Sequence, residues 1–301
     1  MALLDRYGVV SDEIDGDPRV AFPLARELGL TSLDLNSLWG RPVTDLRPDE
    51  VGTVRALAEQ NGLRVFLVAG LPFKSLVVEG LSPEALLAGA EFAAHLEVLE
   101  RSLEIAALLG APCVRVHAFA WPPQEAGASA RRRGGGEIPE AVLPTITAGL
   151  RAACRLAARF DLLLGIENVR ASYANCGANL RRVVEAVGDA RLRVVWDPAN
   201  AYVSGEDRPY PDGFAAIAPQ VIHVHAKDAR LVDAASGATA WECIGAGAVD
   251  WAGQLRALEA AGYPGALCVE THWKPAGRGR AEATRATLAA LRQIHRGVVA
   301  G

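Results

Sequence analysis

Residues 162–167 read LLLGIE, an apolar run that stops on a carboxylate. The same figure recurs as LRVVWD at 192–197, VIHVHA at 221–226 and ALCVE at 266–270. Their polar members Glu167, Asp197, His225 and Glu270 are 30, 28 and 45 positions apart. A strand-helix-strand unit takes roughly 30 residues, so the four are expected on successive parallel strands. Such strands are covered on both faces and read as continuous apolar runs. A carboxylate or imidazole ending such a run is costly unless something binds it. Two Glu, one Asp and one His meeting at one end of a parallel barrel suit a divalent cation. An oxygen-rich set with one imidazole favours Mn²⁺, Mg²⁺ or Co²⁺, with Zn²⁺ as an alternative.

Outward from these runs the alternation continues in both directions. YGVV, SLDL, RVFLVAG and CVRVHAF precede LLLGIE as strands one to four. PRVAFPLARELGL reads as a first helix ending at Gly29, RPDEVGTVRALAEQNGL as a second, and Pro83 to Gly110 as one long helix. AVLPTITAGLRAACRLAARF, NLRRVVEAVG, DGFAAIAP and WAGQLRALEAAGY fill the later gaps, and AEATRATLAALRQIHRGV closes the chain. Eight strand-helix units in about 300 residues predict a single (β/α)₈ TIM barrel spanning residues 1–301. A doubly wound sheet would ordinarily need a Gly-rich first turn, and no GxGxxG follows the first strand.

Segment 121–140, WPPQEAGASARRRGGGEIPE, interrupts the rhythm after the fourth strand. It reads as a mobile loop over the C-terminal mouth, where the βα loops of barrels build active sites. It is either a surface insertion or a lid whose Arg131–Arg133 run approaches an anionic substrate.

Composition excludes several classes. A net charge of −4 and pI near 5.9 argue against binding nucleic acid through bulk charge. No run approaches the roughly 18 apolar residues of a membrane span. The N-terminal MALLDRYGVVSDEIDGD lacks a basic region, so no signal peptide is expected. Five scattered cysteines without a CxxC pair read as reduced thiols of a cytoplasmic protein.

GIEN, VVWDPAN, HVHAKD, IGAGAVDW and CVETHW, in this order, resemble the markers of sugar phosphate isomerase/epimerase proteins in the xylose-isomerase-like TIM-barrel superfamily. ELGLTSLDLNSLWG and GLRVFLVAGLPFKS are similar to that group too. The resemblance implies a metal held by Glu167, Asp197, His225 and Glu270. His225 is preferred to His223 because it lies nearer the mouth and fits the family pattern. His223 then sits one layer lower, supporting the ligands. The chain departs from the ketose 3-epimerase branch at Tyr173, Asn200 and Leu231, where that branch has Glu, His and Arg. It departs from the endonuclease IV branch at Thr239, Ala240 and Trp241, which replace an Asp-x-His.

The expected chemistry is sugar isomerisation or epimerisation by proton transfer through an enediolate, with Glu167 and Glu270 as the catalytic carboxylates. The rivals are a metal-dependent lyase or dehydratase on a keto-sugar or cyclitol, and a non-catalytic sugar-binding barrel. His117, Lys74, Lys227, Asn200, Arg170 and Trp39 are candidate substrate contacts, with Trp273 as a second aromatic wall. Lys227 is also placed to pair with Glu270, Asn168 to orient a metal ligand, and Asp228 to cap a loop. The expected partner is a small sugar or sugar derivative, bound by a monomer or homo-oligomer. No nucleic acid or membrane is expected. No Gly-rich phosphate cradle is present, which favours a non-phosphorylated substrate.

Overall fold

The computed structural model describes residues 6–122 and 136–300. Most of segment 121–140, including Arg131–Arg133, therefore lies outside the described residues. Eight parallel strands close into a barrel: β1 (Tyr7–Val10), β2 (Ser32–Leu35), β3 (Arg64–Val68), β4 (Cys113–Val116), β5 (Leu163–Glu167), β6 (Leu192–Trp196), β7 (Val221–Ala226) and β8 (Leu267–Val269). Each pairs with its chain neighbours, and β8 returns to β1 through Tyr7–Leu267 and Val9–Val269. This is the (β/α)₈ barrel expected from the sequence, with every strand where an apolar run was read.

Local chemistry explains the frame. The Pro18–Glu27 helix starts with proline in its first turn, and the Asp17 carboxylate caps it by accepting from the Arg19 N–H. Ser82 caps the Pro83–Ala88 helix in the same way. The main hydrophobic core lies between strands and helices, and a small separate cluster of Leu67, Ala69, Cys113 and Val195 fills the barrel interior. Among the described residues no helix is long and apolar enough to cross a membrane.

Three features differ from the sequence reading. The stretch expected as one helix from Pro83 to Gly110 breaks at Gly89, whose extended backbone (ψ 135°) separates Pro83–Ala88 from Ala90–Leu109. The connection from β6 to β7 uses a helix at Pro198–Ser204, and DGFAAIAP contributes only the short Phe214–Ile217 turn. The 45-residue gap after His225 is filled partly by an antiparallel hairpin, Asp228–Asp233 with Ala238–Glu242. Asp228 secures the return of that hairpin, accepting from Gly245, Gly247 and Val249 N–H groups at 2.9, 3.2 and 3.1 Å. A Cβ on Gly247 would fall 2.1 Å from Asp228 Oδ1, so the IGAGAV turn needs glycine there.

Candidate metal centre

Side chains alternate along a strand, so inward positions recur every second residue. On β4 and just past it the polar inward residues are Arg115 and His117, and on β7 they are His223 and His225, followed by Lys227. Glu167 ends β5, Asp197 follows β6, and Glu270 follows β8. Asp197 also caps the Pro198–Ser204 helix, accepting from the Asn200 N–H at 2.8 Å. One ligand atom from each of Glu167, Asp197, His225 and Glu270 lies within 4.8 Å of the others. All four residues are buried.

The electrostatics of this cluster are set by a few partners. Arg115 donates to Glu167 Oε2 at 3.0 Å, and its remaining N–H groups reach Asn36 Oδ1, Ala69 O and Gly70 O. Burial would raise the Glu167 carboxyl, but Arg115 and His225 hold it down at about 2. Burial likewise opposes ionisation of Glu270, yet Lys227 and His225 keep its carboxyl well below the ordinary range. Asp197 is pushed up, chiefly by burial and by Glu270 and Glu167, against the pull of Lys227. Lys227 Nζ lies 2.9 Å from Asp197 Oδ2 and 2.8 Å from Glu270 Oε2. Both carboxylate oxygens are thus held by the Lys227 ammonium, and each carboxylate oxygen has more than one lone pair to offer.

His225 is gripped at both ring nitrogens. Its Nδ1 is 3.0 Å from Glu167 Oε1 and 3.2 Å from Glu270 Oε2, while Nε2 is 3.1 Å from Asp34 Oδ2. Despite burial, these acids raise its pKa well above the ordinary histidine value. The Asp34 carboxyl is itself held low against burial, mainly by His223 and His225. An ionised Asp34 keeps a proton on His225 Nε2, so the nitrogen that can serve the cluster is Nδ1, once its own proton has left.

The residues fit a divalent cation. Four buried carboxylates (Asp34, Glu167, Asp197, Glu270) face two permanent buried cations, Arg115 and Lys227, and in the metal-free cluster a protonated His225. Buried charge must be compensated, and once His225 gives up that proton to act as a ligand the two negative charges left over match one divalent ion. Three carboxylates and one imidazole form a hard, oxygen-rich donor set.

The sequence profile of xylose isomerase-like TIM barrels matches residues 22–294. The chain belongs to this family. Solved structures with the same fold include a xylose isomerase-like TIM barrel protein from Mycobacterium smegmatis in complex with magnesium, with 16% identity, 99% of each chain covered and TM-score 0.68. The 3-keto-D-glucoside 4-epimerase of E. coli shares 20% identity over 96% of this chain and 99% of its own, TM-score 0.68. The D-allulose 3-epimerase of Methylomonas sp., in complex with D-allulose, shares 16% over 97% and 96%, TM-score 0.68. No curated protein matches significantly in sequence.

Within this xylose isomerase-like barrel the other candidate residues fall into distinct places. Asn168 exchanges hydrogen bonds with the Asp197 backbone, donating to its O at 2.7 Å and accepting from its N–H at 2.9 Å. That ties the ends of β5 and β6 together. His223 lies one layer deeper, 2.7 Å from Asp34 Oδ2 and stacked on Phe66. Asn200 donates to Asn168 O at 3.0 Å and Glu167 Oε1 at 3.5 Å and accepts from Lys227 at 3.4 Å, so its amide serves the ligands rather than facing an open substrate space. His117 is buried with Nδ1 at 3.3 Å from Pro72 O and Nε2 at 3.9 Å from Glu167 Oε2. Burial and Arg115 push its pKa down to about 3, so the ring is neutral and Nε2 presents a lone pair toward the cluster.

Lys74 has an exposed side chain after β3, yet desolvation and Arg115 lower its pKa while Glu167 and Glu270 pull the other way, which places it in the field of the cluster. Two candidates are not brought to the cluster. Trp39 donates its indole N–H to Asp17 at 3.2 Å and packs on the core, and Arg170 is exposed beyond β5. Asp34, Arg115, Glu13 and His272 were missed in the sequence. The first two carry the same signal as the ligands, a charged residue inside a buried apolar strand, in SLDL and CVRVHAF.

Proposed function

We propose that this barrel is a divalent-metal-dependent isomerase or epimerase that moves a proton beside the carbonyl of a keto-sugar. The observation that carries this is the pair Glu167 and Glu270, both held ionised, contributing to one buried cluster that also contains Asp197 and His225. A cation bound by these four would act as a Lewis acid, acidifying the C–H beside the carbonyl. Mn²⁺, Mg²⁺ or Co²⁺ suits the donor set, and a family fold solved with magnesium supports the choice.

The chain's own groups divide the remaining work. Glu270 sits nearer the solvent side and removes the proton next to the carbonyl, leaving an enediolate. Glu167 or Glu270 returns a proton to the neighbouring carbon or to the opposite face. Lys227, whose ammonium already touches Glu270 and Asp197, donates to a developing oxyanion. The His117 Nε2 lone pair accepts from a sugar hydroxyl, and Lys74 donates to a distal one. Burial of the cluster limits water near the enediolate.

The test pairs metal content of the purified protein with ¹H exchange in D₂O over a panel of ketoses and keto-glycosides. Solvent deuterium at the carbon beside the carbonyl, dependent on added Mn²⁺ or Mg²⁺, is the expected result. Loss of water from the sugar would mark a dehydratase instead. No exchange with any substrate at saturating metal would refute proton-transfer catalysis.

A further inference from the structure

Beside the cluster lies a cavity of about 880 Å³, walled by the residues after β1, the hairpin after β7 and the segment after β8. It joins the candidate centre through His272, whose Nε2 is 3.4 Å from Glu270 Oε1 and 3.5 Å from Glu13 Oε1. Trp241 bridges the two spaces from the hairpin, its ring centroid 5.0 Å from Lys227 Nζ and 5.3 Å from the His272 ring. His117, whose Nε2 faces Glu167, and Lys74 are not on its walls. The cavity therefore adjoins the cluster, with the His272 and Trp241 side chains shared between the two.

Its size and lining identify what it fits. Such a volume lies near the top of the range that encloses a drug-sized ligand, more than a single monosaccharide fills. Two indoles, Trp241 and Trp273, line it. Trp241 packs on the hydrophobic core, whereas Trp273 is not a member of that core among the described residues. Trp273 is half-buried with part of its ring on the cavity wall, and the apolar C–H face of a pyranose is what an indole face takes up. The walls carry both signs, Glu13 and Glu242 against Lys274 and Arg278. Acids repel a phosphate, but acids and cations together match hydroxyl groups, which both donate and accept. His272, at the junction, has φ +48°, a left-handed backbone costly for a residue with a side chain and typical of ligand-binding loops.

We infer that the substrate carries a second sugar ring, and that this cavity is the subsite holding it while the keto-sugar unit sits at the metal cluster. The inference rests on the proposed function only for which unit reacts; the subsite itself stands on the cavity.

The experiment uses the full chain with Mn²⁺. Isothermal titration compares D-fructose and D-glucose with the ketose disaccharides isomaltulose and lactulose, and with D-fructose 6-phosphate. At least one disaccharide should bind about tenfold or more tightly than either monosaccharide. Trp273→Ala should abolish that preference, and Trp273→Phe should retain most of it. Equal affinity for mono- and disaccharides, no measurable binding of either disaccharide, tightest binding by the phosphate, or an undiminished preference in Trp273→Ala each overturns the subsite. The deuterium exchange assay separates the two claims. Disaccharide binding without exchange leaves the subsite and removes the catalytic reading. Exchange into free ketoses, with no effect of Trp273→Ala, does the reverse.

Discussion

Replacing Lys227 by methionine gives the sharpest test of how the cluster is balanced. The ammonium is buried and lies 2.9 and 2.8 Å from oxygens of Asp197 and Glu270. Methionine keeps most of the volume and removes the charge, leaving buried carboxylates short of compensation. Breaking a buried ion pair in this way costs about 3–5 kcal/mol. At roughly 2.1 cal/mol/K of unfolding entropy per residue, a chain of this length loses about 5–8 °C in Tm. Metal should shrink the loss, because a divalent cation supplies the missing positive charge to the same two carboxylates. Acid should shrink it too. In the wild type the Lys227 pKa is raised, so its contribution is complete throughout the neutral range and fades only in strong alkali. In the variant, Glu270 and Asp197 lose the cation that lowers their pKa values, so both protonate more readily as pH falls from 8 to 5, relieving the uncompensated charge. Differential scanning fluorimetry in EDTA and in saturating Mn²⁺, at both pH values, checks this. A Tm loss that is equal with and without metal would refute the charge-balance argument, as would no loss at all.

Glu270→Gln should retain part of the metal affinity while turnover falls by roughly 10²-fold or more, the scale of a lost general base; near-normal turnover would make Glu270 a ligand only. His225 has a raised pKa in the metal-free protein, so at pH 7 its proton sits between Glu167 and Glu270 and must leave when metal binds. Titration calorimetry in buffers of different ionisation enthalpy should detect release of about one proton, with apparent affinity falling as pH drops; zero release would exclude His225 as a ligand. The raised pKa also stabilises the metal-free fold fully below about pH 6.5, a contribution lost as pH rises through the folded value. Arg115→Lys keeps the charge but not the fork that reaches Glu167, Asn36 and two carbonyls, so metal affinity measured by titration should fall about 10–100-fold, as for other partners that orient ligands. Asp34→Asn should lower metal affinity on the same scale, because the amide no longer demands a protonated His225 Nε2; unchanged affinity would show that the ring orients itself.

The barrel was legible in the chain because buried parallel strands leave a strong local mark, a short apolar run at regular intervals. The four cluster residues were legible for the same reason, since an ionisable side chain at the end of such a run contradicts its surroundings. That signal also marked Asp34 and Arg115, which SLDL and CVRVHAF displayed equally openly. Both sit inside their strands rather than at the end, where no spacing rule points to a ligand. The break at Gly89 lies in its ψ alone, and a Cβ there would sit 3.2 and 3.3 Å from the Leu86 and Ala85 carbonyl oxygens, a crowding that helical periodicity does not reveal. The hairpin after β7 was hidden because DARLVD and ATAWE are half exposed and lack the apolar density of the barrel strands.

The sequence by itself determined the closed eight-stranded frame, the end of it at which the ionisable cluster gathers, and the family, since all three follow from local patterns repeated along the chain. Only the tertiary structure decided who partners whom. That His225 points Nδ1 at two glutamates and Nε2 at Asp34, that Lys227 lies between Asp197 and Glu270, that Trp39 is tied to a helix cap while Trp241 and Trp273 wall a cavity, all depend on side chains from distant strands and loops meeting across the barrel mouth. Charge compensation in a buried space is a property of the whole set, and no single stretch of sequence carries it.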